Sequence, residues 1–409
     1  MNKPQHHNRP FFAAKDNELL IGGIKLSQLS LQLGQTPFYA YDRQLITQRM
    51  AELRQQMPSD LKIHYAIKAN PMPALVQHMA TLVDGFDLAS SQEMLTALDT
   101  PILANNISLA GPGKRPKELI QAIAAGITLN VESFNELEEI ARIEQKIGLA
   151  AHVAVRVNPA FELKMSGVKM GGGSKPFGID EEQLPLLLKQ INTLNLDFIG
   201  FHIYSGSQNL KAESIIEAQQ KSFALADQLS EYIPHSMHKL NIGGGYGIPY
   251  FPGEKPLDTQ KVGDALAKSM QVFKSKHPQT EVIIELGRYL VGEAGIYVSK
   301  IIDKKVSRGQ TYLIVNGGLH HHLAASGNFG QVIRKNYPLA IGNKIQSNSM
   351  ENVSIAGPLC TPLDILGDNI SLPTAEIGDF VVVYQSGAYG YSASPHQFLS
   401  QPECIEALV

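Results

Sequence analysis

The sequence predicts an α/β protein: a parallel (β/α)₈ barrel of the TIM type joined to a second, mostly β domain. Two observations carry this reading. From Lys62 to Arg288 a short apolar strand followed by an amphipathic helix recurs about eight times. After Arg288 the rhythm stops, and strand-like runs separated by Gly, Pro and Asn take over. Eight β/α units over roughly 230 residues suit a closed barrel. A doubly wound sheet usually has fewer strands and a Gly-rich turn after the first, whereas here that turn follows the seventh.

The predicted barrel strands are "IHYAIK", "GFDLAS", "ISLAG", "ITLNVES", "HVAVRVN", "FIGFHIYSG", "KLNIGGG" and "VIIELGR". Helical periodicity fills the gaps, as in Ser91–Leu98, Lys117–Ala125, Phe134–Ile147, Glu182–Ile191 and Ala212–Tyr232. The strands after Arg288 are "GIYVSKIIDKKV", "QTYLIVNGG", "VSIAGPLC" and "DFVVVYQSGAYG". The short strand "PFYAYD", before the barrel, is expected to join them. This divides the chain into a barrel over 43–290 and a β domain built from 1–42 with 291–409.

Composition narrows the function classes. The chain has 409 residues, 44% hydrophobic and 18% charged, which is a soluble globular profile. A net charge of -3 gives no electrostatic case for nucleic acid or anionic membrane. No apolar run reaches transmembrane length, and the N-terminus lacks the apolar core of a signal peptide. Two cysteines, Cys360 and Cys404, build no disulfide framework and fit a cytoplasmic location.

Active sites of such barrels gather at the C-terminal ends of the strands. Lys68 ends the first strand, where it reads either as a snorkelling lysine or as an amine held dry for Schiff-base chemistry. Asp87 lies in the second strand, Arg156 in the fifth, and His202, Tyr204 and Ser205 near the end of the sixth. "GGGYG" follows the seventh and "ELGR", with Glu285 and Arg288, the eighth. A glycine run offering backbone N–H groups and an arginine fork can together grip a phosphate. Alone, the glycine run reads equally as a plain turn. A lysine, a phosphate site and an opposing acid suggest pyridoxal 5'-phosphate. His320–His322 tempts a metal reading, but adjacent histidines on one strand point to alternate faces, so no metal is expected there.

"YAIKAN", "FDLASSQE", "AVRVNP", "SKPFGI", "GFHIYSGSQ", "NIGGGYG", "ELGRYLV", "GPLCTPLD" and "GAYG" occur in order along almost the whole chain. On these motifs the sequence resembles the fold-type III pyridoxal phosphate decarboxylases, the group of diaminopimelate, ornithine and arginine decarboxylases, which share the architecture of alanine racemase. The resemblance implies a homodimer whose active sites use both chains. It implies that Lys68 carries the cofactor, His202 stacks on its ring and Glu285 holds its ring nitrogen. Ser205, Gly244, Gly245, Arg288 and Tyr389 would hold the phosphate, with Asp87 and Arg156 beside the ring. Cys360, from the partner chain, would deliver the proton after carbon dioxide leaves, with Thr361 and Asp364 in the same substrate-facing loop.

The departures concern the substrate's far end. Diaminopimelate decarboxylases usually carry C-E-S-x-D, where this chain has "CTPLD" with Thr361 in the Glu position. Their R-P-x-L-Y motif, which supplies an arginine for the distal carboxylate, has no match in "GGLHHHLAASGNFGQVIRKNYP". "HHHL" and "SASPHQFLS" are instead similar to a subgroup of secondary-metabolite, siderophore and exopolysaccharide clusters. Some members of that subgroup act on amino acids attached to a carrier protein or to citrate. The expected function is thus α-decarboxylation of an amino acid carrying a distal acyl, citryl or carrier-protein group. The glycine-rich stretch Lys169–Gly178 would be a lid over it. The alternatives are a diaminopimelate decarboxylase, an amino-acid racemase, or a catalytically dead regulatory homologue. Glu285 opposite the ring nitrogen argues against a racemase, which places Arg there, and the intact lysine, acid and phosphate residues argue against a dead homologue.

Overall fold

A computed structural model describes residues 6, 11–161, 168–169, 171–233, 236–331 and 333–409. It divides into two compact units, Met50–Ile248 with Pro256–Gly287, and Met1–Arg49 with Pro249–Lys255 and Arg288–Val409.

The first unit is a closed parallel barrel. Its strands are β1 (Lys62–Ala66), β2 (Gly85–Leu88), β3 (Ile107–Leu109), β4 (Thr128–Val131), β5 (His152–Asn158), β6 (Asp197–Ile203), β7 (Lys239–Gly244) and β8 (Glu281–Leu286). Each pairs in parallel with the next, and β8 pairs with β1, which closes the ring. All residues of β2 and β4 are buried. Their polar members Asp87, Thr128 and Asn130 are therefore buried along with the apolar ones, as both faces of a parallel barrel strand are covered.

Helices follow the strands as the periodicity predicts, including Ser91–Leu98, Pro116–Ala125, Phe134–Ile147, Leu184–Thr193 and Ala212–Leu229. Their starts are written locally. Ser90 Oγ accepts the Glu93 amide at 3.2 Å while Glu93 Oε2 accepts the Ala89 amide at 2.7 Å, a reciprocal cap. Ser133 caps Phe134–Ile147 in the same way, and Gly148 ends it in the left-handed region, φ 69°.

The second unit is mostly β. The thirteen-residue strand Gly295–Ser307 is its spine and pairs antiparallel with Gln310–Val315, Phe380–Val383 and Phe38–Tyr41. Ile405–Leu408 then adds to Phe38–Tyr41 in parallel, so strands from near both chain ends enter one sheet. Leu19, Ile21, Leu26, Phe38, Ile296, Val298 and Val382 form a common apolar core there.

Two local expectations need correction. Lys68 is not in a strand: β1 stops at Ala66, and Ile67–Ala69 is a single 3₁₀ turn closed by the Asn70 amide on the Ile67 carbonyl at 3.0 Å. Its side chain is exposed in the single chain. His320–His322 lies in a turn, not a strand, because the His321 and His322 amides both return to the Gly318 carbonyl at 3.0 Å. The alternate-face argument therefore does not apply to these histidines. Among the described residues no helix is long and apolar enough to cross a membrane.

Candidate active site

The strand ends of the barrel gather one charged cluster. Glu285, near the end of β8, is 4% exposed, and its Oε2 lies 3.0 Å from His202 Nε2 on β6. Asn241 on β7 donates from Nδ2 to the same Oε2 at 3.1 Å. Burial alone would raise the Glu285 carboxyl. His202 first, then Lys68 and Arg156, outweigh that and hold it below the usual carboxylate range. Glu285 is thus a buried anion. His202 is 3% exposed, and neither of its ring nitrogens has an aligned hydrogen-bond partner among the described residues, despite the close carboxylate. Lys68 Nζ stands 5.5 Å from the centroid of the Tyr204 ring.

The glycine turn after β7 is shaped by close approach. A side chain on Gly244 would meet the Glu285 carbonyl at 2.1 Å, and one on Gly245 would meet the Gly206 carbonyl at 2.1 Å. Gly243 and Gly245 are left-handed, with φ of 71° and 73°. The Gly243 amide donates to Asn241 Oδ1 at 2.8 Å, so one asparagine ties the turn to the carboxylate. Ser205 is buried at the end of β6.

Arg156 is 7% exposed and its Nη1 donates to Glu132 Oε1 at 2.9 Å. Glu132 also accepts the Gly111 amide at 2.6 Å and the Gly178 amide at 3.1 Å. One carboxylate therefore fixes Arg156 and two loops. The described part of the glycine-rich loop is held further by Asn158, which accepts from the Gly172 amide at 3.1 Å and donates to the Gly173 carbonyl at 2.9 Å. Met170 and the Lys169 side chain lie outside the described residues. Asp87 sits inside the barrel, accepting from Ser108 Oγ at 2.5 Å and 3.5 Å from His64 Nδ1.

The remaining predicted residues belong to the β unit. Arg288 donates from Nη1 to the Tyr250 hydroxyl at 2.8 Å, with its guanidinium 4.6 Å from the centroid of the Tyr389 ring. Burial opposes its charge, but the surrounding tyrosines Tyr250, Tyr389 and Tyr337 hold it firmly protonated. Tyr389 adopts a left-handed backbone, φ 54°, which costs a non-glycine residue about 1–2 kcal/mol. Cys360 is an exposed thiol. Thr361 engages its Oγ1 with the Leu363 amide at 3.3 Å.

Asp364, expected as a substrate contact, is buried and bonded to backbone. It is 2% exposed, and its Oδ1 accepts the Leu319 amide at 2.6 Å while Oδ2 accepts the Leu359 amide at 2.9 Å. Each oxygen accepts one backbone amide, which ties the Cys360 loop to Leu319. Sequence reasoning missed Glu132 and gave Asn241, noted before the glycines, no site role. Glu132 follows directly after β4, where the strand-end rule would have found it, and Asn241 is the polar residue two before the glycines.

A lysine just past the first barrel strand, a buried anion whose charge it favours and a glycine turn that admits no side chain make a site suited to a phosphorylated aldehyde cofactor. The chain matches the model of the pyridoxal-dependent decarboxylase pyridoxal-binding domain over residues 43–292. It is 38% identical over 380 residues to an L-glutamyl-[BtrI acyl-carrier protein] decarboxylase of Niallia circulans, covering 91% of this chain and 89% of the relative. It is 30% identical to a 2-[(L-alanin-3-ylcarbamoyl)methyl]-2-hydroxybutanedioate decarboxylase of Staphylococcus aureus, covering 92% of this chain and 95% of the relative. Diaminopimelate decarboxylases also match. The crystal structure of one, from M. jannaschi, superposes with a TM-score of 0.87 at 26% identity, covering 97% of this chain and 92% of that one. The chain belongs to the pyridoxal-dependent decarboxylase family. It is a fold-type III decarboxylase that uses pyridoxal phosphate.

Proposed function

We propose that this enzyme removes the α-carboxylate of an amino acid whose side chain is extended at its far end by an acyl, citryl or carrier-protein group. The carrying observation is the cysteine loop. Where diaminopimelate decarboxylases place a glutamate for a distal ammonium, this chain has Thr361, an uncharged residue whose hydroxyl is engaged within its own loop. The relatives from Niallia circulans and Staphylococcus aureus, whose names specify a carrier-bound and a modified amino acid, support the same reading.

Bound, pyridoxal phosphate supplies an electron sink for the pair left at Cα when carbon dioxide departs. The chain's residues bind and orient around it. Lys68 Nζ anchors the cofactor aldehyde. The Glu285 carboxylate keeps a proton on the ring nitrogen, a task that requires the ionised form its neighbours favour. His202 supplies a flat face to the ring. Ser205, Gly244, Gly245, Arg288 and Tyr389 hold the phosphate, while Asp87 and Arg156 shape the surroundings. Cys360 Sγ, delivered from a second copy in a homodimer, gives a proton to Cα. An exposed thiol on a loop fastened by Asp364 is suited to that reach. The unpaired cysteines fit a cytoplasmic enzyme.

The test is a screen of carbon dioxide release over free, citrylated and carrier-bound amino acids. Turnover confined to the extended forms supports the proposal. Turnover of free diaminopimelate alone returns the chain to lysine biosynthesis.

A further inference from the structure

The two stretches that set this chain apart, "HHHL" and "SASPHQFLS", meet in the β unit. His321 and His396 have ring centroids 5.9 Å apart. His321 Nε2 lies 2.8 Å from the Pro402 carbonyl, and His396 Nε2 lies 2.7 Å from the Tyr391 carbonyl. A carbonyl only accepts, so both Nε2 atoms carry the proton and both Nδ1 atoms keep a lone pair. His396 Nδ1 is buried with no hydrogen-bond partner among the described residues. His321 Nδ1 has a long 3.3 Å contact with the Tyr297 hydroxyl. Cys404, 3% exposed, completes the group: one ligand atom from each of His321, His396 and Cys404 lies within 4.8 Å of the others.

We propose that His321, His396 and Cys404 bind one zinc-class divalent ion, through two imidazole Nδ1 atoms and one thiolate. Two imidazoles and a sulfur select a borderline-soft ion such as Zn²⁺ over Mg²⁺ or Ca²⁺. The Nε2–H bonds to backbone carbonyls are the outer contacts that orient metal-binding histidines. Burial holds the Cys404 thiol protonated. Metal binding therefore breaks an S–H bond, forms a metal–thiolate bond and releases one proton to solvent. Tetrahedral Zn²⁺ needs its ligand atoms roughly 3.3–3.7 Å apart, so the group must draw in, and half-buried His396 is the member placed to move. Water takes the fourth position. The ion would clip the turn after Gln310–Val315 to the chain's last segment.

The test uses untagged holoenzyme, dialysed against metal-free buffer and titrated with Zn²⁺ in competition with a chromophoric chelator, with melting temperature read in parallel. The expected result is about one Zn²⁺ per chain, a zinc-dependent rise in Tm and release of a proton. Cys404→Ser and His396→Gln should each weaken binding at least about tenfold, with cofactor absorbance retained, while His238→Gln at an exposed position leaves zinc binding unchanged. If Cys404→Ser does not fold, His396→Gln at a half-buried position carries the test. No Zn²⁺ bound by the wild type, or wild-type affinity in His396→Gln, overturns the proposal.

Discussion

Glu285 in the barrel and Asp364 in the β unit are both buried carboxylates, and their environments push them in opposite directions. Glu285 faces His202, Lys68 and Arg156, which outweigh burial and keep it ionised. Asp364 faces the amides of Leu319 and Leu359, which do not outweigh burial, and its carboxyl is pushed up. The difference teaches what each is for. The cations around Glu285 favour the ionised form that its proposed role requires. Asp364, bonded to backbone amides, ties the Cys360 loop to Leu319.

The largest effect should come from the residue the barrel cluster serves. Lys68→Ala is expected to lower kcat by at least about 10⁴-fold. Borohydride reduction of the wild type should leave the pyridoxyl group on Lys68 in a peptide map. Label on another lysine would break the assignment.

Glu285→Gln keeps the shape and removes the charge. Its kcat should fall about 10²–10³-fold, as for loss of a preorganised electrostatic group. The pH dependence sharpens the comparison. Because the folded Glu285 carboxyl sits below its ordinary 4.5, the stability it contributes is present above that value and lost as pH falls through the lowered one. The wild-type acid limb of kcat is therefore not expected to belong to Glu285, and Glu285→Gln should lower the plateau without moving that limb.

Cys360→Ala should cost about 10²-fold through loss of a positioned proton donor. Mixing inactive Lys68→Ala chains with Cys360→Ala chains should regenerate activity, since one site of each mixed dimer would be intact. No rescue, with subunit exchange shown independently, would mean that each chain supplies its own thiol.

Asp364→Asn should have the smallest effect. It turns one acceptor into a donor facing an amide, at about 1–3 kcal/mol. A loss of roughly tenfold in kcat with unchanged cofactor absorbance would mark a positioning role. Changed substrate preference instead would mark Asp364 as a substrate contact.

The sequence carried most of the barrel side of this comparison. Strand ends located His202, Glu285 and the glycine turn because parallel barrels put chemistry there, and all three are close in space. Lys68 was found, but the apolar Ile67 and Ala69 on either side of it made a 3₁₀ turn read as the end of a strand. Glu132 was overlooked because a carboxylate directly after a strand looks solvated until the partners it holds are seen. The β unit was less legible. Asp364 acts on Leu319, 45 residues away, and His321 lies far along the chain from His396 and Cys404. No spacing rule links such positions, since only the fold brings them together.

The central claim is that the barrel's decarboxylation machinery is intact while the distal pocket serves a longer substrate than diaminopimelate. Steady-state kcat/KM on free meso-diaminopimelate against a carrier-bound or citrylated amino acid tests it most directly. The account predicts a poor value for the free amino acid and a value at least about a hundredfold higher for an extended one. A kcat/KM for free diaminopimelate above about 10⁴ M⁻¹s⁻¹, the ordinary enzymatic range, would contradict it.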